Sequence, residues 1–320
     1  MPLPEKAFIE RIRRRVRPGQ HVVRGIGDDC AILRLPRGHE ALVTTDFTLE
    51  GIHFRQEWHP ADSVGHRCLA RGLSDIAAMA GEPIAAFLSL AVPRHLSQRW
   101  IDSFFEGLLR LAKRHRATLA GGDVAESPSG VFTDIVVLGS VPAGTAVLRS
   151  GARPGDWIYV TGQLGESAAA LEQLLSGRKK KLNPIAYSRH FYPQPRVELA
   201  RLLRQKKIAS AMIDISDGLS TDLAHICEES HVGAEIEAAA IPRARVGSDR
   251  RAVDLELALH GGEDYELLFT APVAKRVPAR IAGVPITRIG RILRRRGIRM
   301  LTANGTVEKT SPRGWEHLAR

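Results

Sequence analysis

The chain has 320 residues, 44% hydrophobic and 25% charged, and its 46 Lys and Arg outnumber 35 Asp and Glu to give a formal net charge of +11. That length can bury a large core and suggests about two domains of an ordinary globular kind. There is no apolar run of the roughly 18 residues that a membrane span needs, Glu5, Lys6 and Arg11 stand where a signal peptide would be apolar, and three scattered cysteines exclude a disulfide framework or a CxxC zinc site.

A cytoplasmic protein with no membrane partner is expected. Cys30, beside Asp29, reads as a small packed residue. In chain order, the basic run Arg11–Arg15 comes first, followed by strands over Glu40–Phe47, Phe87–Val92 and Phe132–Val141. Helical spacing marks Asp62–Ala80 and Ser97–Arg116, the second with Ser97 as its N-cap. Gly121-Gly122 is expected to interrupt the chain before the next strand. Pro, Gly and Arg cluster at Ala143–Gly155 and mark a boundary, giving domains over 1–146 and 147–320. Beyond it, strands are expected at Asp156–Thr161, Ala211–Ser216, Ala234–Ile236, Tyr265–Thr270 and Pro285–Ile289. Helices are expected at Glu166–Leu175, Pro195–Gln205, Leu219–Ser230 and Asp249–Leu259, with a basic loop at Ser176–Asn183. Both halves mix α and β, so the fold class is α/β (α+β), built as two α/β sandwich domains.

Short acidic motifs stand out against the basic background: Gly27-Asp28-Asp29, Thr44-Thr45-Asp46, Ser74-Asp75, Gly121-Gly122-Asp123 and Asp214-Ile215-Ser216-Asp217-Gly218. Carboxylates at turns and strand ends suit hard cations, because Mg²⁺ takes oxygen ligands and bridges them to phosphates. Strand alternation puts Thr44 with Asp46, and Asp214 with Ser216, on one face each, leaving Ile213 and Ile215 for the core. Asp75 interrupts an apolar helix, where a buried carboxylate needs a partner, either a cation or Arg71. Asp217 falls at a strand-to-helix junction, as a metal ligand or as a helix cap.

Two carboxylates about 4 Å apart repel by roughly 4 kcal/mol at an effective dielectric near 20. Clustering of these groups would therefore imply divalent ions, and dispersal none. The basic runs at 11–15, 178–181 and 294–296 lack interleaved aromatics or a DNA-binding motif. They read as solvated surface before small-anion attraction, and nucleic acid comes last. No GxxxxGK[ST] loop, dinucleotide fingerprint or protein-kinase motif set is present.

Those motifs, with Glu50-Gly51-Ile52-His53-Phe54 and Gly261-Gly262-Glu263-Asp264-Tyr265-Glu266-Leu267, resemble the thiamine-monophosphate kinase family in order and near spacing over residues 20–320. The resemblance implies two domains of the aminoimidazole-ribonucleotide-synthetase-like type: an N-terminal ATP/Mg-binding and dimerisation domain, and a C-terminal domain completing an active-site cleft. It implies a homodimer that binds no nucleic acid and transfers phosphate from ATP to thiamine monophosphate with several Mg²⁺ ions. By matched position, Asp29, Thr44, Thr45, Asp46, Asp75, Asp123, Asp214 and Asp217 would hold metal. Gly122, Asp123, Arg149 and Ser216 would contact ATP. His53, Glu263 and Trp315 would face the substrate, and Asp217 would orient a metal at the reacting phosphates during in-line attack.

Relatives within that superfamily are the nearest alternatives, aminoimidazole ribonucleotide synthetases among them. A hydrogenase-maturation dehydratase would want a C-terminal Cys, whereas this chain ends Trp315-Glu316-His317-Leu318-Ala319-Arg320. A selenophosphate synthetase would want a reactive Cys ahead of the acidic motifs, whereas the first here is Cys30.

Overall fold

Alternating burial along residues 39–49 and one-sided burial along 98–115 are the two periodicities on which the N-terminal half is built. The structure, a computed structural model, describes residues 1–17, 19–177, 181–247, 250–302, 304–315 and 318. Contacts divide the chain into two units. The first is Met1–Ile76, Gly81–Gly144 and Phe191–Pro193, and the second is Ala77–Ala80, Thr145–His190 and Gln194–Arg320.

In the first unit, α1 (Glu5–Arg15) precedes β1 (His39–Leu49), α2 (Ala61–Ala78), β2 (Glu82–Pro93), α3 (Gln98–His115), β3 (Thr118–Ser127) and β4 (Phe132–Pro142). The sheet order is β1-β4-β2-β3, antiparallel except for the β2–β3 pair. Leu69, Leu73 and Ile76 of α2, Phe104 and Leu108 of α3, and Ile135 and Val137 of β4 are buried together as core. Ser97 caps α3 as expected, its Oγ accepting the Trp100 N–H at 3.2 Å.

Two expectations fail here. Gly121-Gly122 does not interrupt the chain, because β3 runs straight through it with a register shift opposite Ala86 and Phe87. Gly122 has φ +146°, and a Cβ there would stand 1.9 Å from the Leu88 carbonyl oxygen. Glycine thus marks a bulge at close backbone approach inside the strand. Cys30 is exposed in its turn, while Cys68 and Cys227 are buried.

The second unit contains β5 (Trp157–Thr161), α4 (Glu166–Leu175), α5 (Val197–Gln205), β6 (Ala211–Ile215), α6 (Leu219–Glu229), β7 (Gly233–Glu237), α7 (Leu255–His260), β8 (Glu266–Ala271), β9 (Val284–Leu293), β10 (Gly297–Leu301) and β11 (Val307–Thr310). Their sheet runs β11-β10-β7-β9-β5-β8-β6, so β6 lies at an edge. Ile213 and Ile215 join a core with Leu219, Leu223 and Ile226 of α6. Met212, on the opposite face, joins a second core with Leu199 and Leu203 of α5. The expectation of one polar face on β6 is therefore corrected: both faces are covered, and Asp214 is 3% exposed.

The helix expected over 249–259 shrinks to Leu255–His260. Arg251–Ala252 pairs instead with Arg245–Val246, and this local ribbon overrides helix propensity. Asp249, like residues 178–180 of the basic loop, lies outside the described residues. The sequence pattern also missed α1, β10 and β11. The helix α1 buries only Phe8 and Ile12, and β11 is largely exposed.

Candidate active site

The N-terminal unit assembles its acidic residues at two places. On the helix-covered face of β1, Thr44 donates its hydroxyl to the Asp75 carboxylate of α2. Beside it the Asp46 carboxyl is pushed up to about 7, first by burial and then by Asp75, while Arg71 draws it down. Arg71, one helical turn before Asp75, brings Nε to 3.7 Å from Asp46 Oδ1. Both partners weighed for Asp75 thus have a physical basis: Arg71 is adjacent, and a second carboxylate still calls for a cation.

Thr45 points the other way, its hydroxyl donating to Asp134 on β4 at 2.6 Å. The side chains of Thr44 and Thr45 therefore do not converge. The second place is the far edge of the sheet. Asp46 pairs with Ile135, Ile135 with Leu88, and Leu88 with Gly122. Three strand spacings, about 14 Å along the sheet, separate Asp46 from the Gly122-Asp123 edge. Asp123 is exposed there, its carboxylate accepting the Val124 N–H at 2.9 Å. The Gly25–Ala31 turn carrying exposed Asp29 hangs from a ribbon, Val22–Arg24 paired with Ile32–Leu33, and Val22 shares a small core with Ala120 of β3.

His53 follows β1 in a turn. Its Nδ1 accepts the Leu49 N–H at 3.0 Å, which leaves the proton of the neutral ring on Nε2. The buried Arg67 side chain donates to the His53 carbonyl at 3.3 Å. The ring orientation is fixed by its own backbone.

In the C-terminal unit, β6 delivers Asp214 and ends in the Ser216-Asp217-Gly218 loop. One oxygen of Asp222, in the first turn of α6, accepts the backbone N–H groups of Ser216, Asp217 and Gly218 at 3.2, 3.2 and 3.1 Å. The Asp222 carboxyl is nonetheless raised to about 8, by burial first and then by Asp214 and Asp217. Asp217, Asp222 and His225 place one ligand atom each within 4.8 Å of one another. Asp222 and His225 were missed from sequence, where Asp222 looks like an ordinary acidic residue of a first helical turn.

The substrate-side residues meet this loop through backbone. Glu263 N–H donates to the Ser216 carbonyl at 2.7 Å, and Trp315 N–H donates to the Asp217 carbonyl at 3.1 Å. Glu263 and Tyr265 have φ of 64° and 50°, left-handed values that non-glycine residues adopt rarely. The Trp315 side chain is 57% exposed. Arg149 lies apart from this group. The Ser230 hydroxyl after the C-terminus of α6 donates to its carbonyl at 2.7 Å. It therefore stands at the opposite end of α6 from Gly218, roughly 16 Å away by helix length. Its exposed side chain forms no ion pair among the described residues.

The donor sets are carboxylate and hydroxyl oxygens on both units, with His225 the one nitrogen. Asp75 opposes the ionisation of Asp46, and Asp214 and Asp217 oppose that of Asp222. That chemistry fits hard divalent cations.

Fold and site together define a protein of the AIR synthase related class. The N-terminal domain model of those proteins matches residues 27–141 and the C-terminal domain model residues 153–301. The thiamine-monophosphate kinase of Salmonella typhimurium is 40% identical over 304 residues, 91% of each chain. The crystal structure of thiamine-monophosphate kinase from Stenotrophomonas maltophilia K279a aligns with a TM-score of 0.82 and 36% identity, covering 94% of this chain and 97% of that one. AaThiL complexed with AMPPCP and TMP aligns with a TM-score of 0.77 and 31% identity over 89% of each chain. The chain belongs to the thiamine-monophosphate kinase family.

Proposed function

We propose that this protein transfers the γ-phosphate of ATP to the phosphate of thiamine monophosphate, giving thiamine diphosphate. The observation that carries this reading is the pair of hydrogen bonds tying Glu263 and Trp315 to the consecutive carbonyls of Ser216 and Asp217. They set a carboxylate and an aromatic ring, groups suited to an aminopyrimidine and a cationic thiazolium, beside the acidic loop suited to phosphates and their metals. The relative that holds AMPPCP and TMP is in keeping with it.

Asp29, Thr44, Asp46, Asp75, Asp123, Asp214 and Asp217 would hold Mg²⁺, with Gly122, Asp123 and Ser216 toward ATP, whereas the Thr45 hydroxyl, on the other face of β1, and Arg149, at the far end of α6, stand apart from them. Bound Mg²⁺ supplies neutralisation of two mutually repelling phosphate groups. The chain's own part is placement: Asp222 fixes the Ser216–Gly218 backbone, and His53, oriented through Nδ1, would stand on the substrate side. No protein nucleophile is required, because the acceptor phosphate oxygen is already anionic, so positioning for in-line attack is the main demand.

A homodimer is part of the reading. Val43 and Phe47 of β1 are 65% and 61% exposed on the sheet face away from α2, together with Phe132 of β4. An uncovered apolar sheet face suits a second copy. The cytoplasm, where ATP is available, is the expected compartment. The test is a kinase assay with ATP, Mg²⁺ and thiamine monophosphate beside free thiamine. Diphosphate formed from the monophosphate alone supports the reading, and product from neither overturns it.

A further inference from the structure

The segment after β11 returns to the acidic loop, and what holds it there is a short chain of polar groups that the proposed reaction leaves unused. Ser220, the second residue of α6, is buried, and its Oγ lies 2.7 Å from His260 Nδ1 at the end of α7. On the other side of the ring, Nε2 lies 2.9 Å from a guanidinium nitrogen of Arg313. Arg313 can only donate, so Nε2 accepts, and the ring proton sits on Nδ1 and is donated to Ser220. The same Arg313 nitrogen reaches Glu256 at 2.9 Å. One residue on, Gly314 N–H donates to Thr221 Oγ1 at 3.0 Å, and a Cβ on Gly314 would stand 2.1 Å from the Asp217 carbonyl oxygen. Trp315 N–H then closes the approach on that carbonyl.

We infer that the Ser220–His260–Arg313 chain is a positioning device: it holds residues 313–315 against the Asp217 loop and thereby sets the affinity for thiamine monophosphate through Trp315. The substrate half of this statement rests on the function proposed above, while the docking half does not. His260 touches no reacting group, so its influence passes through Arg313 and the backbone. The charged groups facing its ring among the described residues are Arg313 and, one turn back on α7, Glu256 at 3.7 Å. Burial, reinforced by Arg313 and opposed by Glu256, holds the ring below the usual imidazole range. The neutral form is the one that accepts from Arg313. Protonation turns that acceptor into a donor and sets two cations face to face.

The test measures amide hydrogen exchange at 314–315 in the ligand-free protein, and the Kd for thiamine monophosphate and for AMPPCP with Mg²⁺ present. His260→Ala is expected to speed exchange and to raise the thiamine monophosphate Kd about tenfold, the effect of losing one buried hydrogen-bonded link, with the AMPPCP Kd within about twofold of wild type. His260→Gln, whose amide can donate to Ser220 and accept from Arg313, restores both values. It also lessens the acid weakening of substrate binding expected of wild type below the usual imidazole range, the remainder belonging to groups such as Asp46. Arg313→Ala, at an exposed side chain, gives the same two shifts even where His260→Ala is too unstable to purify.

Unchanged exchange in both alanine variants overturns the inference, and so does a His260→Gln protein whose acid weakening of thiamine monophosphate binding equals that of wild type. A wild-type protein that binds no thiamine monophosphate defeats the proposed function instead, and the exchange data alone then decide the docking half.

Discussion

Asp222 accepts the backbone N–H of Asp217 at 3.2 Å although both side chains are acids, Asp222 buried and Asp217 half-buried. Attraction to three N–H dipoles holds the Asp222 carboxyl in place, while burial first, and then Asp214 and Asp217, push its pKa up to about 8. The loop is thus shaped at an electrostatic cost that a cation would relieve. Asp222→Ala leaves three N–H groups without their acceptor and should lower unfolding stability by about 2–3 kcal/mol. Asp222→Asn keeps an acceptor oxygen and, like the protonated acid, carries no charge, so its loss should stay under about 1 kcal/mol. Urea midpoints of the two variants decide this, and equal losses would refute the account.

Asp46 gives the proposed metal binding a pH window. Its carboxyl, pushed up to about 7, holds a proton in the folded chain that the unfolded chain has already lost above about 4. Metal-free stability from this group is therefore greatest at acid pH and declines as pH rises from about 4 to 7. The Mg²⁺ proposed for this site would bind the ionised form, so saturating Mg²⁺ should raise Tm by about 5 °C at pH 8 and by under about 2 °C at pH 5.5. Calorimetry at the two pH values tests the sign, and a larger rise at pH 5.5 would contradict it.

Two isosteric replacements test the metal reading in the proposed reaction. Asp217→Asn and Asp75→Asn should each lower kcat by about a hundredfold or more with circular dichroism unchanged, since each removes charge from an oxygen donor set. Near-wild-type rates in both at saturating Mg²⁺ would sink it.

The uncovered face of β1 makes assembly testable separately. Phe47→Glu buries a charge in any interface formed there, at a cost of several kcal/mol, and should turn a dimer into a monomer by light scattering. A wild-type chain that is already monomeric would defeat the dimer reading.

Much of this architecture can be read from residue order because its elements bury one face in a regular rhythm. Ser97 and the apolar residues of α3 mark a helix to within one residue, and β1 alternates from Leu42 to Thr48. Where tertiary pairing decides, the pattern misleads. Gly122 suggests a break, but the partner strand at Leu88 comes close enough to require it within β3. The site divides along the same line. The acidic motifs announce themselves by residue type. Asp222, His225 and Asp134 do not, because they matter only through what the fold lays beside them: three N–H groups, Asp217, and the Thr45 hydroxyl.

Thr44 and Thr45 are chain neighbours whose hydroxyls go to opposite sides of the same strand, one to Asp75 beneath α2 and one to Asp134 on the open face. Sliding β1 by one residue against β4 would exchange those sides, aiming Phe47 at α2 and turning Asp46 outward. The strand is therefore pinned by two unrelated demands at once. Single-residue insertions or deletions along His39–Leu49 should be among the least tolerated in the chain, whereas drift in side-chain identity can proceed on either side independently.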